Sequence, residues 1–100
     1  SVTSELTISG GALTIPSSGC YSVDTEADAA SDDLTSFVCA AGVRFKLFAA
    51  DDARTVVIKR GSGAIEASSD FSLDNVFDTW EGWCQTANIA INDGRNSGGA

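Results

Sequence analysis

The sequence predicts an all-β protein, and three observations support that prediction. Apolar residues alternate with polar residues almost wherever the sequence is periodic, which is the spacing of strands rather than of helices. Clusters of Gly, Ser, Asp and Asn separate the alternating runs at intervals of about ten residues. No segment has the apolar stripe that stabilises a helix. We expect a small antiparallel sandwich, barrel or β-prism of about seven to nine short strands, in one domain over residues 1–100.

Two strands are predicted near the N-terminus. Leu6 and Ile8 mark the first, and Leu13 and Ile15 mark the second, with a Gly-Gly pair between them that predicts a hairpin or a bend. These four side chains are candidate anchors of the core or of an interface. Residues 1–15 are also a candidate β-arm that is exchanged with a neighbouring subunit or anchors the chain to a larger assembly.

The next segment changes from apolar to acidic. Residues 20–23 favour a short strand, and residues 24–35 form a polar run that we expect to be an ordered loop with one short helical turn. Alternate carboxylates in this run suggest calcium, but an EF-hand needs Gly where Ala29 stands and Glu where Thr35 stands. We interpret residues 24–33 as a solvated acidic loop, with an irregular calcium site as the alternative.

The centre of the chain has the clearest strand pattern. Residues 43–48 alternate strictly, and residues 55–58 form a β-branched run after a polar turn. We expect these two strands to pair as an antiparallel hairpin or as neighbours in a meander. Residues 36–41, which precede them, predict a buried loop or a short strand. The predicted faces of the first strand are Val43, Phe45 and Leu47 on one side and Arg44, Lys46 and Phe48 on the other.

The C-terminal part contains both tryptophans. Phe71, Trp80 and Trp83 lie in short apolar stretches that predict further strands, and they are candidate core or interface anchors. Phe77 is assigned to the core with them. The alternative for Trp80 and Trp83 is a platform on which a carbohydrate stacks. Residues 93–100 are polar and rich in glycine, so we expect a flexible tail there.

The charge balance excludes two classes of partner. Fourteen acidic residues against six basic residues give a net charge of −8, which repels nucleic acid and anionic membrane surfaces. No apolar run approaches the ~18–20 residues that span a bilayer. We therefore expect a protein that binds neither nucleic acid nor membranes.

The residue types argue against catalysis and against a bound cofactor. The chain contains no histidine, which removes the commonest general base and metal ligand. A pair of catalytic carboxylates would need a substrate cleft, for which a single small core leaves little room. We expect no enzymatic activity, no cofactor and no metal site.

The cysteines are few and widely spaced. Cys20, Cys39 and Cys84 are an odd number and contain no C-x-x-C pair. A disulfide framework uses an even number of cysteines, and a zinc site would need a fourth ligand. We expect buried free thiols, with one disulfide plus one free thiol, or a bridge between subunits, as the alternatives.

Three stretches of the sequence together resemble a known module. They are DTEADAASDDL, GVRFKLFAADDARTVVIKRGSGAI and DFSLDNVFDTWEGWCQ, which lie within residues 23–85. The pattern is similar to the β-rich module of tailed-phage structural proteins, which occurs in head decoration and spike proteins and in the C-terminal regions of tail fibres. Its most specific parts are residues 49–59 and 70–75. Two places depart from it, since residues 37–41 replace a Gly-rich link and Ala64 stands where the module has Asn.

The resemblance implies a virion structural protein with threefold assembly and no catalytic residues. Its leading form is a capsid decoration, or cement, protein that binds the major capsid protein on the outer capsid surface and stabilises the head. The alternative is a tail-fibre or head-spike module that binds a receptor on the host surface. In either form we expect a homotrimer made in the host cytoplasm. Ser1 suggests removal of an initiator Met and an independent gene product, which favours decoration.

Overall fold

The fold is all-β, as the alternation predicts. The computed structural model describes residues 4–97, and in that part of the chain the only helical element is a 3₁₀ turn at Glu26–Asp28. The same residues contain no helix that is long and apolar enough to cross a membrane. The strands they form are β1 (Ser4–Thr7), β2 (Ala12–Thr14), β3 (Gly19–Asp24), β4 (Ser31–Leu34), β5 (Ser36–Val38), β6 (Arg44–Ala49), β7 (Thr55–Ile58), β8 (Ile65–Glu66), β9 (Phe71–Leu73), β10 (Thr79–Thr86) and β11 (Ile89–Asn96).

The strands form three sheets, and the chain winds between them like a short solenoid. Sheet A has the order β1-β3-β6-β10-β11-β8, sheet B pairs β2 with β5, and sheet C has the order β4-β7-β9. Successive coils return to sheet A in the same direction, so β1, β3 and β6 lie side by side in parallel. The pairs β2 with β5 and β4 with β7 are parallel for the same reason. The chain then reverses, and β9, β10 and β11 each run antiparallel to a neighbour.

This architecture corrects the predicted antiparallel sandwich or barrel. Five of the eight strand pairings in the described chain are parallel, and the strands are more numerous than expected. The hairpin predicted for β6 and β7 does not form, because these strands belong to sheets A and C. Alternation reveals that a strand has one buried face, but it is the same for parallel and antiparallel neighbours. The winding therefore could not be predicted from it.

A tight bend carries the chain from β1 to β2. Gly10 and Gly11 have φ angles of +59° and +80°, a region that favours glycine, and a backbone bridge joins Ser9 to Ala12. A Cβ atom at Gly11 would lie 2.8 Å from Oγ1 of Thr35. The Gly-Gly pair therefore forms a two-residue turn closed by one antiparallel bridge. The pairing stops there, because β1 and β2 enter different sheets.

The core is formed by the inward-facing residues of all three sheets. In β6 the side chains of Phe45, Leu47 and Ala49 are buried, whereas Arg44 and Lys46 point outward, which confirms the faces predicted for this strand. The acidic run also forms the predicted 3₁₀ turn, but its second half continues as β4, which was not predicted.

An aromatic cluster lies between β5, β6 and β10. The ring centroid of Phe37 is 5.1 Å from that of Phe45 and 5.7 Å from that of Trp80. Trp80 also covers Gly82 of its own strand, where a Cβ atom would lie 2.5 Å from Cζ3 of Trp80 and 3.2 Å from Cε2 of Phe45. Gly82 is therefore required by the close packing of two aromatic rings.

The predicted anchors divide between the core and its margin. Ile8, Leu13, Ile15 and Trp80 are buried in the core, Leu6 and Phe71 are half-buried against it, and Trp83 is half-buried on the outer side of sheet A. The described part of the predicted arm belongs to this core, since β1 pairs with β3 of its own chain. Residues 93–96 of the predicted tail are strand, because β11 continues to Asn96. Residues 1–3 of the arm and 98–100 of the tail lie outside the described residues.

One disulfide ties sheet A to the end of β5. Cys39 and Cys84 are bonded and buried, with their Cα atoms 6.4 Å apart, while Cys20 is free and half-buried. The expectation of free thiols is therefore wrong for two cysteines, and the alternative of one disulfide plus one free thiol is correct. The bonded residues are 45 positions apart in the sequence and meet only through the winding of the chain.

Removal of this disulfide should lower the free energy of unfolding by about 4 kcal/mol, because a cross-link over such a separation restricts the unfolded chain. The measurement is urea denaturation of the double variant Cys39→Ala/Cys84→Ala against the wild type. Cys20→Ala is the control and should unfold near the wild-type midpoint. An unchanged midpoint when the wild type is fully reduced would contradict this role of the disulfide.

Candidate functional site

The outer face of sheet A is the candidate functional surface. It consists of the side chains that β3, β6, β10 and β11 turn away from the core. Strand register aligns them in rows, of which the two central ones are Cys20–Lys46–Glu81 and Arg44–Trp83–Ile91. None of these side chains is fully buried. The face therefore combines charged groups with large apolar groups that remain accessible to a partner.

An ion pair occupies the middle of this face. Nζ of Lys46 lies 2.9 Å from Oε2 of Glu81, and both side chains are nearly half exposed. The hydrogen bond to Glu81, together with its charge, raises the pKa of Lys46, so Lys46 stays cationic. Because the pair is exposed to solvent, it contributes little to stability. Its carboxylate can be exchanged for one from another molecule.

Arg44 lies on the indole of Trp83 in the neighbouring row. Its guanidinium carbon is 4.9 Å from the ring centroid, which is the geometry of a cation–π contact. Nη1 of Arg44 is 3.8 Å from Oδ2 of Asp93, and its backbone N–H donates to Oγ of Ser18 over 3.0 Å. The backbone is thus fixed, while the guanidinium is held only by exposed contacts.

A shallow depression of about 340 Å³ opens on this face. Its charged lining residues are Arg44, Lys46, Glu81 and Asp93, and the remainder includes Cys20 and the backbone of Gly19 and Gly82. The volume is at the lower end of the range for small-molecule sites, and the depression is open to solvent rather than enclosed. This shape suits a protruding group of a larger partner better than a free small molecule.

The two tryptophans cannot form one stacking platform. Trp80 and Trp83 are separated by an odd number of positions in β10, so they point to opposite sides of the sheet. Trp80 is fully buried in the aromatic cluster, and only Trp83 reaches the outer face. Carbohydrate stacking therefore depends on Trp83 alone and on displacement of Arg44 from its ring.

Arg54 pairs with carboxylates of the acidic segment. Nε of Arg54 is 2.7 Å from Oδ1 of Asp24, which is nearly buried, and the guanidinium also lies 3.9 Å from Asp28 and 3.7 Å from Asp51. The hydrogen bond to Asp24 raises the pKa of Arg54. No group of three or more acidic or cysteine side chains among the described residues is placed to hold a metal ion. Within the acidic segment 24–33, only residues 25–30 lie between strands. The nearly buried Asp24 ends β3, and residues 31–33 belong to β4, which corrects the predicted loop.

A second exposed feature is the turn of residues 74–78 between β9 and β10, called here the Phe77 turn. Phe77 was expected in the core, but its side chain is 72% exposed at the tip of this turn. Three backbone N–H groups donate to side-chain oxygens, from Val76 to Asp52 (2.7 Å), from Phe77 to Asn75 (3.0 Å) and from Asp74 to Asp78 (3.3 Å). These bonds fix the backbone that carries the exposed ring.

Two carboxyl groups meet at the base of the Phe77 turn. Asp78 is fully buried, and its Oδ1 has no hydrogen-bond partner among the described residues. A hydrogen bond from the carboxyl of Asp74 to that of Asp78 raises the pKa of Asp74, and burial and the charges of Asp78 and Asp52 act in the same direction. The fold therefore raises the pH at which Asp74 loses its proton.

The sequence indicated Trp83 as a core or interface anchor, with a carbohydrate platform as the alternative, but it did not join Trp83 with Arg44 and Lys46 in one site. Arg44 and Lys46 were predicted on the outward side of β6, where they lie, and Phe77 was assigned to the core. The available signal for Phe77 was its position between turn-forming residues, Asp74 and Asn75 before it and Asp78 after it. An aromatic residue within such a cluster lies at the surface more readily than one in an alternating run.

Replacement of Asp74 by Asn should stabilise the protein at neutral pH. The pKa of Asp74 is raised in the folded state, so protonated Asp74 adds to the free energy of unfolding at pH values below its unfolded pKa. This contribution is lost as the pH rises through the folded pKa. The gain in melting temperature of Asp74→Asn should therefore shrink as pH falls towards the ordinary value of 3.8.

Asp70→Asn is the matched control with the opposite sign, because the hydrogen bond from Lys59 lowers the pKa of Asp70. Asp70→Asn should have a lower melting temperature than the wild type at neutral pH, and that difference should vanish in acid. Melting curves of both variants across the acid range check the pair. Equal pH profiles for the two variants would contradict the assignment.

Comparison with known proteins gives no match. No protein-family model, no curated protein and no solved structure matches this chain. Its function is therefore argued from the outer face of sheet A, from the Phe77 turn and from the sequence resemblance.

Proposed function

We propose that this chain is a virion structural protein of a tailed phage. In its leading form it is a capsid decoration protein, a homotrimer that binds the major capsid protein on the outer surface of the head. The observation that carries this proposal is the outer face of sheet A, where Trp83 and Ile91 lie beside Arg44 and Lys46. Aromatic residues and arginine are enriched in protein interfaces, and they supply most of the residues that dominate binding energy.

The construction of the fold supports a static binding role. Three sheets share one core, and the disulfide from Cys39 to Cys84 fastens the end of β5 to β10. A cement protein strengthens a capsid by adding contacts across subunit junctions, and a rigid module does so at a low cost in conformational entropy. The sequence resemblance to phage structural modules supplies the virion as the setting.

The disulfide is compatible with synthesis in the host cytoplasm if the bond forms only after the chain has folded and left the cell. Cytosolic thiols are kept reduced, whereas disulfides persist in oxidising surroundings. Cys39 and Cys84 are brought together by the core around them. In this proposal the chain folds with both thiols reduced. After the particle leaves the cell, an oxidant in the surroundings such as molecular oxygen takes the two protons and two electrons that the thiols lose as the bond forms.

The proposal is tested by counting copies of the chain in purified particles of the phage that encodes it. Quantitative mass spectrometry against the major capsid protein should give hundreds of copies per particle, because a decoration protein covers the capsid lattice. Particles stripped of the chain should release DNA at a lower temperature, and addition of the purified chain should reverse that loss. Absence of the chain from the particles would overturn the proposal.

The alternative is a tail-fibre or head-spike module that binds a host receptor, and Trp83 is the observation that favours it. With Arg44 displaced, the indole offers a flat surface on which a sugar ring can stack. This form expects a few to a few dozen copies per particle and binding on a glycan array. Trp83→Ala should abolish that binding. Phe48→Ala should not, although it also removes a half-buried aromatic side chain, in this case from β6. Equal binding by both variants would exclude the Trp83 site.

A further inference from the structure

We propose that copies of this chain assemble by inserting the Phe77 turn of one copy into the depression on sheet A of the next. The inference rests on the proposed structural role. It assigns the depression to a second copy of this chain and leaves Trp83 and Ile91, which do not line the depression, to the capsid protein. It assigns a function to the exposed ring of Phe77 and to the charged depression on sheet A.

The shapes of the two surfaces are complementary. Phe77 projects from a turn with 72% of its side chain exposed, and bonds to Asp52 and Asn75 fix the backbone beneath it. The depression holds about 340 Å³ and is open to solvent, which leaves room for one phenylalanine ring. An aromatic side chain that is already positioned loses little conformational entropy when it binds, which is typical of interface anchors.

The charges are complementary as well. Phe77 is flanked by the exposed carboxylates of Asp52 and Asp74. The depression is lined by the cations of Arg44 and Lys46, together with the carboxylates of Asp93 and Glu81 that pair with them. Both cations are paired within their own chain only through contacts at the solvent surface. Carboxylates of a second copy can therefore replace those of Glu81 and Asp93, whose nearly half-exposed side chains turn out to solvent when they are displaced.

The positions of the two surfaces require a contact between different copies. The Phe77 turn precedes β10, which begins at Thr79, and the depression reaches β10 at Glu81 and Gly82, roughly 10 Å further along the strand. Phe77 does not line the depression of its own chain. Such a contact forms a closed ring when the rotation between copies closes, or a reciprocal dimer when each copy inserts its turn into the other. The homotrimer expected from the sequence resemblance is a ring of three.

The test is the oligomeric state of the purified full chain, measured by sedimentation or light scattering over a dilution series. The wild type should dissociate on dilution, and Phe77→Ala should raise the dissociation constant by about thirtyfold or more, the effect of losing an interface anchor. Val38→Ala is the matched control, because Val38 is the other exposed large apolar residue in the described chain and lies in sheet B. It should assemble as the wild type does.

A charge exchange separates this contact from a general loss of apolar surface. Lys46→Glu should weaken assembly by about tenfold, and the double variant Lys46→Glu/Asp74→Lys should restore it to within about threefold of the wild type. Circular dichroism and melting curves confirm that each variant is folded. Three results would overturn the inference: a wild type that is monomeric at every concentration, equal effects of Phe77→Ala and Val38→Ala, or no restoration in the double variant.

An experiment that disproves the contact between copies can be told apart from one that disproves the virion role. A wild type that is monomeric in solution but abundant in phage particles overturns the contact between copies and leaves the virion role in place. A chain that assembles through Phe77 but is absent from particles supports the contact and overturns the virion role.

Discussion

The pairing of β6 with strands on both of its sides is the constraint on which the structure depends. On one side it continues the parallel winding through β3, and on the other it begins the antiparallel part of the chain through β10. Its alternation sends Phe45 and Leu47 into the core and leaves Arg44 and Lys46 outside. A shift of one residue in this register would bury two cations and expose the aromatic cluster, so core and candidate surface are specified together.

Each of the six basic residues makes a polar contact within the fold. Their contacts are Arg44 with Asp93, Lys46 with Glu81, Arg54 with Asp24, Lys59 with Asp70, Arg60 with the carbonyl of Ala67, and Arg95 with Ser68 and Ser69. Most of these contacts are exposed and screened by salt, so they position side chains more than they add stability. Arg54 differs because it neutralises the nearly buried Asp24 and thereby fixes the acidic segment.

The local sequence pattern predicted structural features that depend on neighbouring residues. It did not predict features that depend on contacts between residues far apart in the sequence. The faces of β6 and the 3₁₀ turn follow from alternation and from polar composition over a few positions. The winding into three sheets and the bond from Cys39 to Cys84 depend on contacts between distant segments, which no short window contains. The candidate surface was half predictable, since Trp83 was singled out, whereas the exposure of Phe77 depends on how its turn leaves the sheet.

The packing of Trp80 over Gly82 has a consequence for how this chain can change through evolution. The indole occupies the space that a side chain at position 82 would need, so any larger residue there collides with Trp80 and with Phe45 on the adjacent strand. A smaller residue at position 80 would in turn leave a cavity over the glycine. A substitution at either position is therefore tolerated only with a matching substitution at the other. In a lineage of related chains the two should be inherited as a pair and should covary when either changes.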